Sequence, residues 1–145
     1  MPSEIQIVTV ETSETAIELL ARFFREEEFA MPLSPLRRIS IECSPALAVD
    51  GETAQATITV STVLYVEWGR LGEIGDLYVL PEHRRKGLAR RLVEHAKAWC
   101  RAQGCSAVSV TITVAGERRH GLGQFYARLG FVQSGRISAS ATLDA

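Results

Sequence analysis

The chain has 145 residues, of which 46% are hydrophobic and 23% are charged, and its formal net charge is −1. This length predicts a single domain over residues 1–145 with a buried core. A nearly neutral chain lacks the positive field that recruits nucleic acid or an anionic membrane surface, and no apolar run approaches the roughly 18–20 residues that cross a bilayer. We therefore expect neither nucleic acid nor a membrane among its partners.

The cysteines and the first residues indicate the cytoplasm. The three cysteines are odd in number and form no C-x-x-C pair, which argues against a disulfide framework or a zinc site. The stretch from Met1 to Val10 lacks the basic region and apolar run of a signal peptide. His83 and His120 have no partner ligands at metal-binding spacing. We expect free thiols, no metal and a cytoplasmic location.

The first half of the sequence predicts strands and helices in alternation. Glu4 to Val10 alternates apolar and polar residues as a strand does. Thr12 or Ser13 is typical of the cap of a helix that ends near Glu26–Glu28, and Ser34-Pro35 predicts a second, short helix. Strands are then predicted over Ala46 to Val49, Gln55 to Trp68 and Leu71 to Leu80, with turns at Asp50-Gly51 and Gly69-Arg70 and with Pro81 closing the last strand.

The second half predicts two helices and two strands. Gly87 to Gln103 has one apolar stripe and Gly104 as its stop, and His120 to Leu129 is a helix ended by Gly130. Ala107 to Val114 and Ile137 to Leu143 alternate as strands do. The order β-α-α-β-β-β-α-β-α-β predicts an α/β domain around a mostly antiparallel sheet with one crossover.

The segment DLYVLPEHRRKGLA, from Asp76 to Ala89, predicts a strand, a tight basic turn and the start of a helix. The first N–H groups of a helix lack partners within it and carry the positive end of its dipole, so a phosphate placed there accepts several hydrogen bonds. Gly87 and Ala89 let a ligand approach the main chain. Nearby cations would support the same anion: Arg84, Arg85, Lys86, Arg90 and Arg91. The common nucleotide fingerprints are absent, so this phosphate site is of another kind.

Two motifs here resemble those of the GNAT N-acetyltransferases. RRKGLA, at Arg84–Ala89, resembles the pyrophosphate loop [Q/R]-x-x-G-x-[G/A] that follows a strand ending in V-x-P-E. FYARLGF, at Phe125–Phe131, resembles the family segment F/LY-x-x-x-GF and stands at the family's spacing from the loop. The resemblance covers about Ile74 to Phe131. It implies an acetyl-CoA-dependent N-acetyltransferase with the GNAT fold, a mostly antiparallel twisted sheet of about six to seven strands with about four helices.

The resemblance also implies how the chain holds acetyl-CoA. The backbone of one strand would pair with the pantetheine arm, and the loop and helix start would wrap the pyrophosphate. The residues so implied are Leu77, Tyr78, Val79, Arg84, Arg85, Lys86, Gly87, Leu88, Ala89 and Arg90.

The resemblance implies that a neutral amine attacks the thioester directly in a ternary complex. It also implies three candidate catalytic residues. Tyr126 stands where the family often keeps a tyrosine that protonates the departing thiolate. Glu73 lies where some GNAT histone acetyltransferases place a general base, and Asp76 matches an aspartate of small aminoglycoside 3-N-acetyltransferases. Strand alternation puts the two carboxylates on opposite faces unless a bulge intervenes, so the choice of base stays open.

The acceptor is expected to be a small polycation, with an aminoglycoside antibiotic as the best candidate and antibiotic resistance as the biological role. In this family the acceptor lies between the first helix pair and the central strands. Carboxylates of that region would attract ammonium groups: Glu26, Glu27, Glu28, Glu67, Glu73 and Asp76. The alternatives are a protein N-terminus or lysine, a polyamine or an amino acid, and, in another class, an acyl-CoA-binding module without turnover.

Two further features bear on the site and on assembly. Many relatives carry an asparagine seven residues before the tyrosine, where this sequence has Arg119, and this puts in question the cofactor contact from that side. The predicted strand over Ile137 to Leu143 would leave a β-rich edge exposed, which is compatible with a homodimer.

Overall fold

The computed structural model describes residues 5–9, 14–27, 44–50 and 53–143. Residues up to Thr111 form one compact unit, and those from Ile112 onward form a second. Among the described residues, the first unit contains a five-stranded sheet, and the second contains two short helices.

The sheet of the first unit has its strands in chain order. The five strands are β1 (Ile5–Thr9), β2 (Ser44–Asp50), β3 (Thr53–Tyr65), β4 (Gly69–Val79) and β5 (Ala107–Val110). The first four pair as antiparallel neighbours, whereas β5 pairs parallel to β4. A parallel neighbour requires a crossover connection, and the helix between β4 and β5 supplies it. The mixed sheet with one crossover is the fold class predicted from the sequence, and the described residues form five strands where six to seven were expected.

Two of the described helices pack on the sheet of the first unit. Helix α1 (Glu14–Glu27) buries Leu19 and Leu20. Helix α2 (Leu88–Ala102) buries an apolar stripe that contacts β3 and β4. The core beside α1 is a cluster of Leu19, Leu47, Tyr78 and Leu80, with Val8, Phe23, Val49 and Ala54 packed against it. The stripe of α2 consists of Leu88, Leu92, Val93, Ala96 and Cys100.

Most elements predicted for residues 1–111 are confirmed within a few residues. Helix α1 ends at Glu27, and α2 ends just before Gly104, as predicted. Strand β4 begins at Gly69 because the turn between β3 and β4 lies over residues 66–68. The predicted cap at Thr12 or Ser13, the short helix after Ser34 and the Gly51 turn position fall outside the described residues.

From the end of β5 onward, the structure differs from the sequence prediction. The strand predicted over Ala107 to Val114 ends at Val110, because the Thr113 side chain accepts a hydrogen bond from the N–H of Gly116 and caps helix α3 (Val114–His120). The single helix predicted from His120 to Leu129 is two helices. Gly121, at φ 59°, ends α3 and precedes α4 (Leu122–Arg128), and a left-handed residue breaks a helix.

The predicted strand over Ile137 to Leu143 is also absent. These residues are exposed and form no strand, since none of the described strands pairs with them. The β-edge that suggested a homodimer is therefore not formed by this segment. No helix in the described parts of the chain is both long and apolar enough to span a membrane.

Candidate active site

Strands β4 and β5 pair over only part of β4, which leaves an open edge. Leu71 to Ile74 pair with Ala107 to Val110, whereas β4 continues to Val79. From Gly75 onward, none of the described strands occupies this side of β4. Beyond Ile74 the pairing with β5 therefore ends, and the backbone groups of β4 on this side have no strand partner among the described residues.

Backbone N–H and C=O groups alternate in direction along β4, and this determines which of them face the open edge. The N–H of Asp76 donates to the Thr59 hydroxyl and that of Leu80 to the Gln55 carbonyl, so both point toward β3. Because the direction alternates along an antiparallel strand, the N–H and C=O groups of Leu77 and Val79 point away from β3, where the Val79 carbonyl already accepts from Arg84 Nε. Tyr78, predicted with them to pair with the cofactor arm, turns its backbone toward β3. The Leu77 and Val79 edge suits an extended, amide-bearing ligand such as pantetheine.

The loop from Pro81 to Gly87 leads directly into the N-terminus of α2. A 3₁₀ turn (Pro81–His83) is followed by Arg85 at φ 63° and Gly87 at φ 77°, both left-handed. No side chain caps α2, and its first turn carries no acidic residue. The Leu88 side chain is buried in the core and Ala89 is half-buried, so their contribution to a ligand is the main-chain N–H groups. This geometry fits an anion at the start of a 15-residue helix.

The structure separates the cations around this loop into two groups. Arg85, Lys86 and Arg90 are exposed beside the helix start, with Lys86 Nζ 3.4 Å from Nδ1 of His83. Arg91 instead donates to the Ile5 carbonyl at 2.7 Å, and this bond ties α2 to β1. Arg84 also has protein partners. Three of the five cations therefore remain available to a phosphate.

Arg84 joins the loop to the end of α1. Its Nε donates to the Val79 carbonyl at 3.0 Å, and its Nη2 lies 2.8 Å from Glu26 Oε1. The other oxygen of Glu26 accepts a 2.7 Å hydrogen bond from the Tyr78 hydroxyl. Burial and this contact raise the pKa of Tyr78 to about 12, so the phenol stays protonated and donates. Glu26, predicted to bind the acceptor, thus has both oxygens engaged within the protein.

A β-bulge at Gly75 places the two candidate bases on one face. Asp76 lies opposite Thr59 and Glu73 opposite Ser61, and the register between β3 and β4 shifts between these pairs. Thr59 and Ser61 are two residues apart on β3 and so point to the same side. Glu73 and Asp76 therefore share a face in spite of their odd spacing. That face is the one on which the Tyr78 ring stacks against Phe23 of α1, at 5.0 Å between centroids.

Asp76 has the environment of a functional carboxylate. It is half-buried, and the Thr59 hydroxyl donates to its Oδ2 at 2.9 Å. Burial raises the pKa of Asp76 above its usual range, while the Thr59 hydrogen bond acts in the opposite direction. A carboxyl group with a raised pKa is a stronger base once ionised, and such groups concentrate at functional sites.

Tyr126, the predicted proton donor, lies on α4 in the second unit. Its ring is buried and makes edge contacts with Phe125 and Phe131, at centroid distances of 4.9 and 5.2 Å. Burial raises the pKa of Tyr126 to about 12. The hydroxyl makes no hydrogen bond within the described residues. The phenol is therefore protonated at neutral pH, although a raised pKa also makes it a weaker acid.

Two more of the predicted residues have described positions, Glu67 and Arg119. Glu67 is exposed in the turn between β3 and β4, and Arg119 is exposed in the last turn of α3. The side chain of Glu27 and all of Glu28 fall outside the described structure. Where side chains are described, no three His, Cys, Asp or Glu residues cluster as metal ligands would.

Thr59 is the site residue that the sequence analysis missed. It is fully buried on β3 and makes hydrogen bonds with both the main chain and the side chain of Asp76. In the sequence it is one of several threonines in a β-rich run, where threonine is common for its strand propensity alone. Only the register of β3 against β4 reveals its partner.

Comparison with known proteins agrees with the geometry. The model of the acetyltransferase (GNAT) family matches residues 13–131. No curated protein matches the chain significantly.

Solved structures similar to the chain over nearly its whole length include three named acetyltransferases. A possible acetyltransferase from Clostridium difficile 630 has a TM-score of 0.81 at 14% identity, covering 97% of this chain and 99% of that one. A ribosomal-protein-alanine N-acetyltransferase from Brucella melitensis biovar Abortus 2308 has a TM-score of 0.78 at 14% identity, covering 97% and 100%. The aminoglycoside N-acetyltransferase AAC(6')-Iy in complex with CoA has a TM-score of 0.74 at 16% identity, covering 98% of each chain.

At these identities the structural similarity establishes the fold, and the match to the family model establishes the family. The two motifs on which the sequence resemblance was based, RRKGLA before α2 and FYARLGF at the end of α4, both lie within the residues that the family model matches. The chain belongs to the acetyltransferase (GNAT) family and is an N-acetyltransferase.

Proposed function

We propose that this enzyme transfers the acetyl group of acetyl-CoA to a primary amine of a small polycationic acceptor, with an aminoglycoside as the best candidate. The observation that carries the proposal is the pair of carboxylates that the Gly75 bulge brings to the α1 face of β4. One of them, Asp76, is partly desolvated and lies in the open stretch of β4, whereas Glu73 lies in the adjoining stretch that pairs with β5.

The described residues fit acetyl-CoA, which supplies an acetyl group activated as a thioester. Leu77 and Val79 offer backbone groups to the pantetheine arm along the open edge. The start of α2 and the cations Arg85, Lys86 and Arg90 offer donors and charge to the pyrophosphate. The similar aminoglycoside N-acetyltransferase was solved with CoA, which supports the same ligand class for this fold. In this proposal Arg84 orders the loop through Glu26 and does not bind the phosphates.

Asp76 is the group that we assign as general base. An amine reaches the site protonated at pH 7 and must lose a proton before it attacks. Asp76 Oδ1 makes no hydrogen bond with the described residues, so it is the oxygen left to take that proton. Tyr126, with its pKa raised to about 12, is assigned the return of a proton to the departing thiolate.

Glu73 gives the acceptor site a second negative charge. Glu73 lies opposite Ser61 of β3, and Asp76 lies opposite Thr59. These two β3 residues are two positions apart, which corresponds to about 7 Å along a strand. An acceptor with a second ammonium group at a similar distance from the reacting amine would pair with Glu73 while Asp76 takes the proton. This spacing favours a polyamine or an amino sugar over an acceptor with one amine. Glu26, at the end of α1, contributes less, because it is paired with Arg84.

The experiment is an acceptor screen that follows release of the free CoA thiol. Kanamycin, gentamicin and neomycin are compared with spermidine, lysine and short peptides, including peptides that begin with alanine. The proposal requires a kcat/KM above roughly 10³ M⁻¹s⁻¹ for at least one aminoglycoside, an order of magnitude below the usual lower limit for enzymes on their own substrates. A peptide as the best acceptor would instead support a protein N-terminus or lysine.

Variants of the two acidic positions test the spacing argument. Glu73→Gln should raise KM for acceptors with several amines and leave KM for acceptors with one amine unchanged. Glu67→Gln, in the exposed turn, is the matched control and should change neither. Tight binding of acetyl-CoA without turnover of any acceptor would point to the non-catalytic acyl-CoA-binding module.

A further inference from the structure

The side chain of Thr59 is in contact with Asp76 through two hydrogen bonds. Its Oγ1 accepts from the Asp76 N–H at 2.8 Å and donates to Asp76 Oδ2 at 2.9 Å. A hydroxyl has one donor and two acceptor positions, so both bonds form at once. Thr59 is fully buried, and a β-branched side chain in a packed strand has little rotational freedom. The hydroxyl is therefore a fixed anchor for the carboxylate.

The bulge at Gly75 makes this contact possible. The extra residue turns the following side chain toward Thr59, and bulges commonly redirect side chains next to active sites. A Cβ at position 75 would lie 2.9 Å from Thr59 Oγ1, too close for an ordinary contact. The absence of a side chain at Gly75 thus leaves the space in which the Thr59 hydroxyl and the Asp76 carboxylate meet.

The contact fixes the two oxygens of Asp76 in different roles. Oδ2 is occupied by Thr59, whereas Oδ1 has no hydrogen-bond partner in the described structure and is not sealed from solvent. We propose that Thr59 is a positioning residue that holds Asp76 with Oδ1 directed to the amine acceptor. The inference rests on the proposed function, in which Asp76 is the general base. In that step Oδ1 takes one proton from the acceptor ammonium, and the nitrogen keeps the electron pair with which it attacks.

Geometry and charge both predict that loss of the Thr59 hydroxyl makes Asp76 a less effective base. The hydroxyl donates to the ionised carboxylate and so favours the charged form, in opposition to burial. Without it, the pKa of Asp76 rises further and the carboxylate is free to rotate. Both changes reduce the fraction of enzyme that holds an ionised, correctly directed base at a given pH.

The test compares three threonine variants. Thr59→Val removes the hydroxyl and keeps the shape, whereas Thr59→Ser keeps the hydroxyl. Thr57→Val is the matched control, because Thr57 is equally buried on the same strand and donates to the Ala46 carbonyl instead. For each variant the measurements are kcat/KM against pH, acetyl-CoA affinity by calorimetry, and titration of the Asp76 carboxyl carbon by NMR in the free enzyme.

We expect Thr59→Val to lower kcat at least 10-fold near pH 7 and to move the acid limb of the pH profile upward by about half a unit or more. Acetyl-CoA affinity should stay within about 3-fold of wild type. Thr59→Ser should restore both kcat and the acid limb, and Thr57→Val should leave both unchanged even if it lowers stability.

The proposal is overturned if the Asp76 carboxyl titrates at the same pH in Thr59→Val as in wild type. It is also overturned if Thr57→Val shifts the acid limb as much as Thr59→Val does. Should Thr59→Val not fold, Thr59→Ala is measured in the same way. The NMR titration needs no acceptor, so it decides the role of Thr59 even if every acceptor tested is inactive, an outcome that counts against the proposed function alone.

Discussion

The hydroxyl of Tyr78 donates a 2.7 Å hydrogen bond to the carboxylate of Glu26, which lies 52 residues earlier in the chain. The same carboxylate pairs with Arg84, and the Tyr78 ring stacks on Phe23. Helix α1 is thereby tied both to β4 and to the loop that leads into α2. Glu26 was predicted to bind the acceptor. In the structure its carboxylate links α1 to β4 and to the loop before α2.

Breaking this contact should cost stability more than cofactor affinity. Tyr78→Phe removes a hydrogen bond to a charged group and should lower the free energy of unfolding by about 1–2 kcal/mol, measured by urea denaturation. The exposed pair of Arg84 and Glu26 contributes less, about 0–1 kcal/mol. A double-mutant cycle of Tyr78→Phe with Glu26→Gln should give a coupling energy above about 0.5 kcal/mol, and additive effects would contradict the contact.

The start of α2 should be sensitive to charge. Gly87→Glu places a carboxylate where a pyrophosphate is expected, so acetyl-CoA binding should be lost in calorimetry by repulsion and bulk. The matched control is Gly104→Glu, since Gly104 follows the other end of α2 at φ 81°, close to the φ of Gly87 at 77°, and neither has an atom near its Cβ position. Both variants carry similar backbone strain, so a folded Gly87→Glu that binds acetyl-CoA normally would refute the loop assignment.

The raised pKa of Asp76 predicts opposite effects on activity and stability. Asp76→Asn should lower kcat about 10²-fold or more and abolish the acid limb of the pH profile. Because the folded-state pKa is raised, this group contributes stability that is fully present below its unfolded pKa and is lost as pH rises through the folded value. Asp76→Asn lacks that loss, so its free energy of unfolding at pH 7 should equal or exceed that of wild type. A variant that is both active and less stable would remove Asp76 from catalysis.

The sequence was sufficient to predict the parts of the site that depend on local geometry. The loop and helix start around Gly87 follow from residue types adjacent in the chain, and β4 and α2 follow from strong periodicity. The shared face of Glu73 and Asp76 was not predictable, because it depends on the bulge at Gly75, which a partner strand defines. The pairing of Arg84 was not predictable for the same reason, since its partner Glu26 is brought near only by the packing of α1 on the sheet.

Local signals were also insufficient in the second unit. The alternation that predicted a strand up to Val114 competes with the side-chain cap at Thr113, and the cap prevails. Ile137 to Leu143 has the pattern of a strand, but a strand forms only where a neighbour pairs with it, and none of the described strands does.

Tyr126 should act in the chemical step and not in cofactor binding. Tyr126→Phe should lower kcat about 10-fold or more while the affinity for acetyl-CoA changes little, as measured by steady-state kinetics and calorimetry. Because burial raises its pKa to about 12, wild-type activity should show no loss from ionisation of this phenol below about pH 11. Tyr65→Phe, on the hairpin of β3 and β4, is the control for loss of a phenol elsewhere. An unchanged kcat in Tyr126→Phe would assign the ring to packing with Phe125 and Phe131.

Substitutions at two glycines of β4, Gly75 and Gly72, distinguish the positioning of Asp76 from the packing of α2 on the sheet. A Cβ at Gly75 would press on the Thr59 hydroxyl, whereas a Cβ at Gly72 would press on the Cys100 sulfur of α2, on the opposite face. Gly75→Ala should therefore displace Thr59 from Asp76, and Gly72→Ala should disturb only the contact between α2 and the sheet.

Both substitutions should lower the free energy of unfolding by about 1–3 kcal/mol, since each forces an atom into occupied space. Only Gly75→Ala should also lower kcat and raise the pH of the acid limb, because only that variant weakens the hydrogen bond that favours the ionised form of Asp76. The measurements are urea denaturation and kcat/KM against pH for the two variants. If Gly72→Ala shifts the acid limb as far as Gly75→Ala does, the shift reflects general loosening of the sheet, and the bulge has no specific role in holding the base.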